Sequence, residues 1–557
     1  MMDDTKETNH DAYELRSPPE SQSAGDTFGS NDRDQANMAR MGKDQEMKRV
    51  FRQVSLISFT AIIMGRQDGD VGRAADTAVD ILSGTWQWML MANTQGLING
   101  GRGGLFWSYI WTLAGYGLLA ASLADMASMC PTAGGQVRTA RLTLPYKIAD
   151  TRPSITGFQV LSYVSGWLSA LSWQAGNASG LFLCAKLIQA LIAIGNPAYA
   201  APAWQGWLLV VAVTLICVFF NIFAEPLLPH MQNLFLPVYV GAFIATVAVM
   251  CALCPHVDAY TALIEITNEG GWSSSGLALM VGQISAIFAL GGSDAAAHMS
   301  EEVRDAGLSV PRAMIGSILL NGIIGFIALI PFLFALPSID DAVSDPSGFP
   351  LVYVLNLAGM PNVTIALIFL QLLILMVGNV AYQAATGRQT FAFARDGGMP
   401  FSKWIGHINL RYHLPVNAVL LTAIITLVLC LINLGSSDAF NAILSLAAVA
   451  QMATYSISIS CVLYRRLTAP QLLPTAQWGL GRWGVPVNAT GAAYAWFSFF
   501  WAFWPSGTPV TATSMNYAVV MFGGVMILAM LYFVVKARKT YAGPVTRTEA
   551  YLEGKLA

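Results

Sequence analysis

Charge is what this 557-residue chain has least of. Only 11% of its residues are Asp, Glu, Lys or Arg, while 55% are hydrophobic; a soluble domain carries about 25% charged residues. That balance excludes a soluble globular fold and indicates a polytopic membrane protein. A formal net charge of −2 offers no electrostatic footprint for nucleic acid. Catalytic signatures are missing as well: there is no phosphate loop, no HExxH, no GxSxG in a strand–turn–helix setting and no cluster of metal ligands. A ring of repeated filter residues, which a channel would need, is absent too. The seven cysteines are scattered, mostly within apolar stretches, and imply neither a disulfide framework nor a metal site. Cys251 and Cys254 form a CxxC that closes an apolar segment and reads as ordinary packing. No cofactor is called for. A cleavable signal peptide is also missing, because residues 1–48 are polar with no apolar core. They read as a disordered cytosolic tail.

What the chain has instead is long apolar runs. Windows near 54–65 plus 85–98, 104–126, 158–192, 203–223, 231–254, 277–300, 311–336, 361–393, 415–434, 438–464, 488–504 and 512–536 make about twelve spans, all helical. An even count puts both termini on one side. Loops on that side hold Arg138, Arg141, Lys147, Arg304, Arg312, Arg395, Lys403, Arg465 and Arg466, among others. Opposite loops hold Arg102 with acids such as Asp258, Glu265, Asp340 and Asp341. The excess of basic residues places both termini in the cytosol, with a transmembrane domain over 49–536 and a second tail over 537–557.

Two spans are interrupted. In the first, the apolar run stops at Gly65, and residues 66–84 bring Arg66, Asp68, Asp70, Arg73, Asp76 and Asp80 before it resumes at Thr85. Neither flank reaches the roughly 20 residues that cross a bilayer, but the two joined would. In the sixth, Gly291, Gly292 and Ser293 lie deep in the span and Asp294 follows at once. Paired glycines weaken a helix by about 1 kcal/mol each and leave backbone groups free to meet a solute. Close helix packing is the competing reading, and Asp294 tips the balance because an acid at that depth is costly. Its bland alternative is a structural hydrogen bond. Spans one and six are five apart, the spacing of two inverted five-helix repeats with paired breaks at the midplane.

Other polar residues in apolar stretches, among them Trp173, Gln174, Asn177, Asn221, Gln371, Asn379 and Gln451, read mostly as interhelical hydrogen-bonders, and Lys186 as a snorkelling cation. His298, Glu301 and Glu302 at the inner end of span six read either as a cytoplasmic gate, paired with Arg304 or bases of another loop, or as a solvated helix end. Trp86 and Trp88 read as an aromatic lid or as packing.

Four stretches carry a resemblance: SLADMASMCPTAGGQ (122–136), LSYVSGWLSALSWQAGNASG (161–180), GGSDAAAHMSEEVRDAGLSVPRAM (291–314) and FAFARDGGMPFSKW (391–404). They resemble the fungal amino acid/choline transporter family, GABA and choline permeases of the amino acid–polyamine–organocation superfamily. The resemblance runs from about Phe51 to Lys536 and implies a leucine-transporter-like fold, twelve helices in a 5+5 inverted repeat with helices 1 and 6 discontinuous. It also implies secondary transport of an amino acid or amine, coupled to protons, in the plasma membrane or an internal one. Carried over, the unwound segments fall at Met64–Gly65/Thr85–Trp86 and at Gly291–Asp294. The substrate then meets Met64, Gly65, Thr85, Trp86, Gln87, Gly291, Gly292, Ser293 and Asp294, with Asp294 the candidate for proton coupling. Two departures stand out. Relatives lack 66–84 and usually have an acid where Gln87 stands, and 137–159 is longer than the family's connection. Residues 66–84 read as a short unspliced intron carried into the translation, and part of 137–159 as a second case. The rival functions are a transport-defective product, for that reason, or a nutrient receptor that binds solute without moving it.

Overall fold

The computed structural model describes residues 84–135, 157–196, 198–224, 227–434, 439–511 and 515–541. Met64, Gly65, residues 66–83, the tail 1–48 and most of 137–159 lie outside the described residues. From residue 84 onward every expected apolar window falls on helix. An interrupted helix comes first, α1 (Thr85–Met91) and α2 (Thr94–Ile98), parted at Ala92–Asn93. There follow α3 (Gly101–Met129), α4 (Gly157–Gly195), α5 (Ala203–Ile222) and α6 (Leu228–Leu253). The sixth span is in pieces: α7 (Ser275–Gly282), α8 (Ile284–Ala289) and α9 (Ala295–His298). After it come α10 (Ala306–Phe334), α11 (Pro361–Arg395), α12 (Val416–Cys430), α13 (Ala439–Thr468), α14 (Gly484–Trp501) and α15 (Ala518–Tyr532).

Eight helices among the described residues are long and apolar enough to cross a membrane, and Ser275–Ala289 and Val416–Cys430 are shorter apolar helices. A bilayer offers no hydrogen bonds, so an apolar run satisfies its backbone internally as helix. The outer faces suit that solvent. Leu215 and Phe219 of α5, Leu234 and Ile244 of α6, Ile424 and Val428 of α12, and Ile527 and Leu531 of α15 are all more than half exposed. By contrast α13 is buried over most of its length, packed against α4 and α14, while α11 packs on α4 and α10 on α3.

The loops that sequence assigns to one side do meet there. Gly307 O accepts from Ser128 Oγ (2.7 Å), Asp125 pairs with Arg466, and Tyr541 hydrogen-bonds Ser162 Oγ (2.9 Å). At the opposite end β1 (Asn99–Gly100) pairs antiparallel with β2 (Thr267–Asn268), Asn99 facing Asn268. There Arg102 is buried rather than free in a loop, donating to Leu336 O and Pro337 O at 2.7 Å each.

Candidate functional site

The sixth span fails where its glycines fall. After Ala289 the chain turns through Leu290–Asp294 before α9 restarts. Gly292 takes φ +103°, a conformation that side-chain-bearing L residues rarely adopt. Gly291 N–H reaches Phe288 O (3.2 Å) and Ala295 N–H reaches Gly292 O (3.0 Å), which makes the break a tight turn. The N–H groups of Gly292 and Ser293 find no hydrogen-bond partner among the described residues.

A cavity of about 90 Å³ lies against this turn. One water needs roughly 10–15 Å³ and a benzene-sized guest roughly 150 Å³, so the space as it stands holds a few waters, and a solute of six or more heavy atoms needs it to widen. Gly84, Thr85, Gln87 and Trp88 line it from the start of α1, Gly291, Gly292 and Ala295 from the sixth span, Trp173 from α4, and Leu375, Gly378, Asn379 and Tyr382 from α11. Among the described residues no charged side chain lines it. Close approach of α4 to α11 depends on glycine: a methyl group at Gly176 would strike the Tyr382 hydroxyl, and one at Gly180 the Asn379 amide. Gln87 is held from behind, its Nε2 donating to Gln371 Oε1 (2.5 Å) while Gln371 Nε2 donates to Thr246 Oγ1 (3.3 Å).

The structure sorts the expected residues. Thr85, Gln87, Gly291 and Gly292 come together on the cavity wall. Trp86 does not. It is fully buried, edge-on to Tyr239 (5.7 Å) and Phe243 (5.6 Å), because two positions along a helix turn a side chain away by about 200° and Trp88 takes the cavity face instead. Ser293 lies off the wall, and Asp294 turns behind it into protein. Asp294 Oδ2 accepts from Trp173 Nε1 (3.4 Å) and lies 3.5 Å from His298 Nε2, while His298 Nδ1 lies 2.9 Å from Ala133 O.

Just beyond, Glu301 and Glu302 are buried rather than solvated. Each is gripped by two nitrogens of one arginine. Arg395 reaches Glu301 at 2.7 and 3.0 Å, and Arg388 reaches Glu302 at 2.7 and 3.2 Å. Both bases belong to α11, so of the two partners left open, Arg304 or bases of another segment, the acids meet the second; among the described residues Arg304 offers its carbonyl to Ser309 Oγ (3.2 Å). The reason is geometric. Extended Val303 and the turn at Arg304–Asp305, with Asp305 left-handed (φ 51°), lead the chain away into α10, while the last turns of α11 lie alongside.

Sequence reasoning passed over Tyr382 and Arg388. Signals were present in both cases: Leu375, Gly378, Tyr382 and Ala385 repeat at helical spacing, and Arg388 is a cation inside an expected span. Of the other polar residues, Gln174 donates to Thr390 and Thr422 (3.0 Å each) and Asn177 to Thr426 (2.8 Å), the interhelical bonds expected of them. Cys254 is buried, its thiol against Val354 O (3.3 Å), and among the described residues no group of His, Cys, Asp and Glu is placed to hold a metal ion.

A multi-pass helical bundle with a small cavity against a broken central helix is an architecture that suits a membrane carrier. Comparison with known proteins narrows the class. The family described as "Amino acid permease" matches residues 54–527. An uncharacterized amino-acid permease of Schizosaccharomyces pombe is 28% identical over 83% of this chain and 84% of its own length. Amino-acid permease 2 of Neurospora crassa is 26% identical over 84% of each chain. A GABA-specific permease of Saccharomyces cerevisiae is 26% identical over 91% of this chain and 85% of its own length. The chain belongs to the amino acid permease family, integral membrane proteins that carry amino acids across the bilayer and are not enzymes.

Proposed function

We propose that this permease carries small net-neutral amino acids such as GABA, driven by a proton gradient. The cavity is the observation that carries the reading: it lies between the start of α1 and the break of the sixth span, and no charged side chain lines it among the described residues. A zwitterion brings its own balancing charges and needs only dipoles. A permanent cation such as choline, or a polyamine, would need a wall carboxylate to offset its desolvation. The substrate carboxylate would meet the Gly292 N–H group on the wall. Its amine would meet Thr85, the Gln87 and Asn379 carbonyl oxygens and the faces of Trp88, Trp173 and Tyr382. That a relative is named a GABA-specific permease favours the same class.

On this reading Met64 and Gly65 complete the first interruption, twelve spans form a 5+5 inverted repeat, and alternating access comes from rocking of the bundle about the cavity. Glu301 and Glu302, paired with Arg395 and Arg388, form the gate at the basic end. The positive-inside rule turns that end, with both termini, to the cytosol of a plasma-membrane protein. Residues 1–48 and those beyond Tyr541 are its tails; the expected start at 537 moves on because Ala537 and Tyr541 are packed into the bundle.

A second reading is favoured by the charges of 66–84. Four Asp and two Arg at mid-depth of a span each cost about 2.5 kcal/mol or more on insertion scales, so the chain as written would transport poorly and the form without 66–84 would be the working carrier.

Uptake of radiolabelled GABA, L-alanine, choline and putrescine by both forms, with and without a pH gradient, tests the proposal. GABA or alanine should accumulate and be lost on adding a protonophore. Preference for choline or putrescine, or accumulation indifferent to the protonophore, would overturn it.

A further inference from the structure

We infer that Asp294 and His298 form a single proton-binding site that holds one proton, on Asp294 Oδ2 or on His298 Nε2, which face each other at ion-pair distance. The inference rests on the carrier reading above and names the group through which its proton coupling would run.

The geometry counts the proton. A backbone carbonyl only accepts, so His298 Nδ1, 2.9 Å from Ala133 O, carries a hydrogen. Nε2 is then the nitrogen whose protonation can change, and it lies 3.5 Å from Asp294 Oδ2. Both side chains are shut away from solvent, at 0% and 1% exposure. With no proton between them, a nitrogen lone pair would face a buried carboxylate. With two, a buried imidazolium would face a neutral acid. One proton alone leaves the pair without net charge, and buried uncompensated charge is the costly state.

The surroundings fit. The Trp173 indole stands edge-on to the imidazole (5.1 Å) and donates to the same Oδ2. Tyr116 of α3, Tyr382 of α11 and Tyr455 of α13 face Asp294, and phenols do not ionise at physiological pH. Glu301 and Glu302 lie beyond, compensated by Arg395 and Arg388.

Position gives the site a use. Asp294 stands behind the cavity wall, two residues after Gly292, which lines it. On the other side, the peptide that holds His298 through its carbonyl, Ala133, donates its N–H to Glu301 Oε1 (3.2 Å), the carboxylate gripped by Arg395. Cavity, proton site and ion-paired gate therefore form one contiguous chain of contacts. Loss of the shared proton would leave an anion directly behind the cavity. Gain of a second would leave a cation against the carbonyl of the peptide that holds the gate. Either change biases which face of the carrier is open, and the ligand is a proton carried with the substrate.

The test uses the full chain in liposomes and in detergent. In liposomes the wild type should move about one proton per GABA, read by an internal pH dye. His298→Gln should lose gradient-driven accumulation at least tenfold more than it loses equal-pH exchange, and its uptake should no longer vary between pH 5 and 8. A variant that keeps the wild-type pH profile and accumulation overturns the proposal, and so does GABA uptake without proton movement in the wild type. If no substrate of the panel is carried, the carrier reading fails, and the proton site is judged separately by histidine-selective 15N spectra of the purified protein. One of the six rings should keep its Nδ1 proton throughout while its Nε2 titrates at a pH that moves in Asp294→Asn. A His298 ring that titrates identically with and without that carboxylate overturns the proposal whatever the protein carries.

Discussion

Consider removing Arg388. Its guanidinium is fully buried, and both oxygens of Glu302, 2% exposed, are satisfied by it at 2.7 and 3.2 Å. Arg388→Met keeps most of the volume and leaves Glu302 buried with its charge uncompensated. Breaking a buried pair from one side costs about 3–5 kcal/mol, whereas replacing both partners by apolar residues is often neutral or stabilising. The single variant should therefore be strongly destabilised, and Glu302→Leu combined with Arg388→Met should recover most of the loss. If the pair opens and closes in each transport cycle, the same 3–5 kcal/mol is a bias of roughly 10²- to 10⁴-fold between closed and open gate. The double variant would then be stable yet impaired in gradient-driven uptake. A double-mutant cycle in thermal unfolding, followed by tryptophan fluorescence in mild detergent, gives the coupling energy, and liposome uptake gives the rest. A single variant within about 0.5 kcal/mol of wild type, the scatter of ordinary surface substitutions, would refute the reasoning, as would a coupling energy near zero.

Four further outcomes are expected. Deleting 66–84 should raise uptake by cells severalfold or more, since it removes six charges from the first span; uptake unchanged by the deletion would end the intron reading. Trp86→Ala should lower stability by about 3–5 kcal/mol, the cost of truncating a buried aromatic, and Trp88→Ala should instead raise KM for GABA, so unfolding and uptake separate the two. Gly180→Ala should lower the Tm and uptake together, because the added methyl displaces the Asn379 amide from the cavity wall. Gln87→Glu places a carboxylate on that wall and should shift competition against labelled GABA toward choline and putrescine by about tenfold, the equivalent of about 1.4 kcal/mol.

Sequence alone determined the spans and the second break. An apolar run in a bilayer has one way to satisfy its backbone, so each window beyond residue 84 became helix, and Gly291–Gly292 stopped the sixth helix because φ +103° needs a residue without a side chain. The rotation of each helix about its axis was not legible, because rotation is set by what packs against it. Trp86 and Trp88 are equivalent in composition and depth, and only the positions of Tyr239, Phe243 and Phe288 send one into the core and the other to the cavity. The acids Glu301 and Glu302 announced a need for cations, and charge alone could not say which. Packing of α11 beside them chose Arg388 and Arg395 over the nearer Arg304. Asp294 and His298 are four residues apart in any reading of the chain, but the carbonyl that fixes the ring's tautomer comes from Ala133, 165 positions away. Local backbone physics wrote the elements, and contacts between distant segments decided which faces do the chemistry.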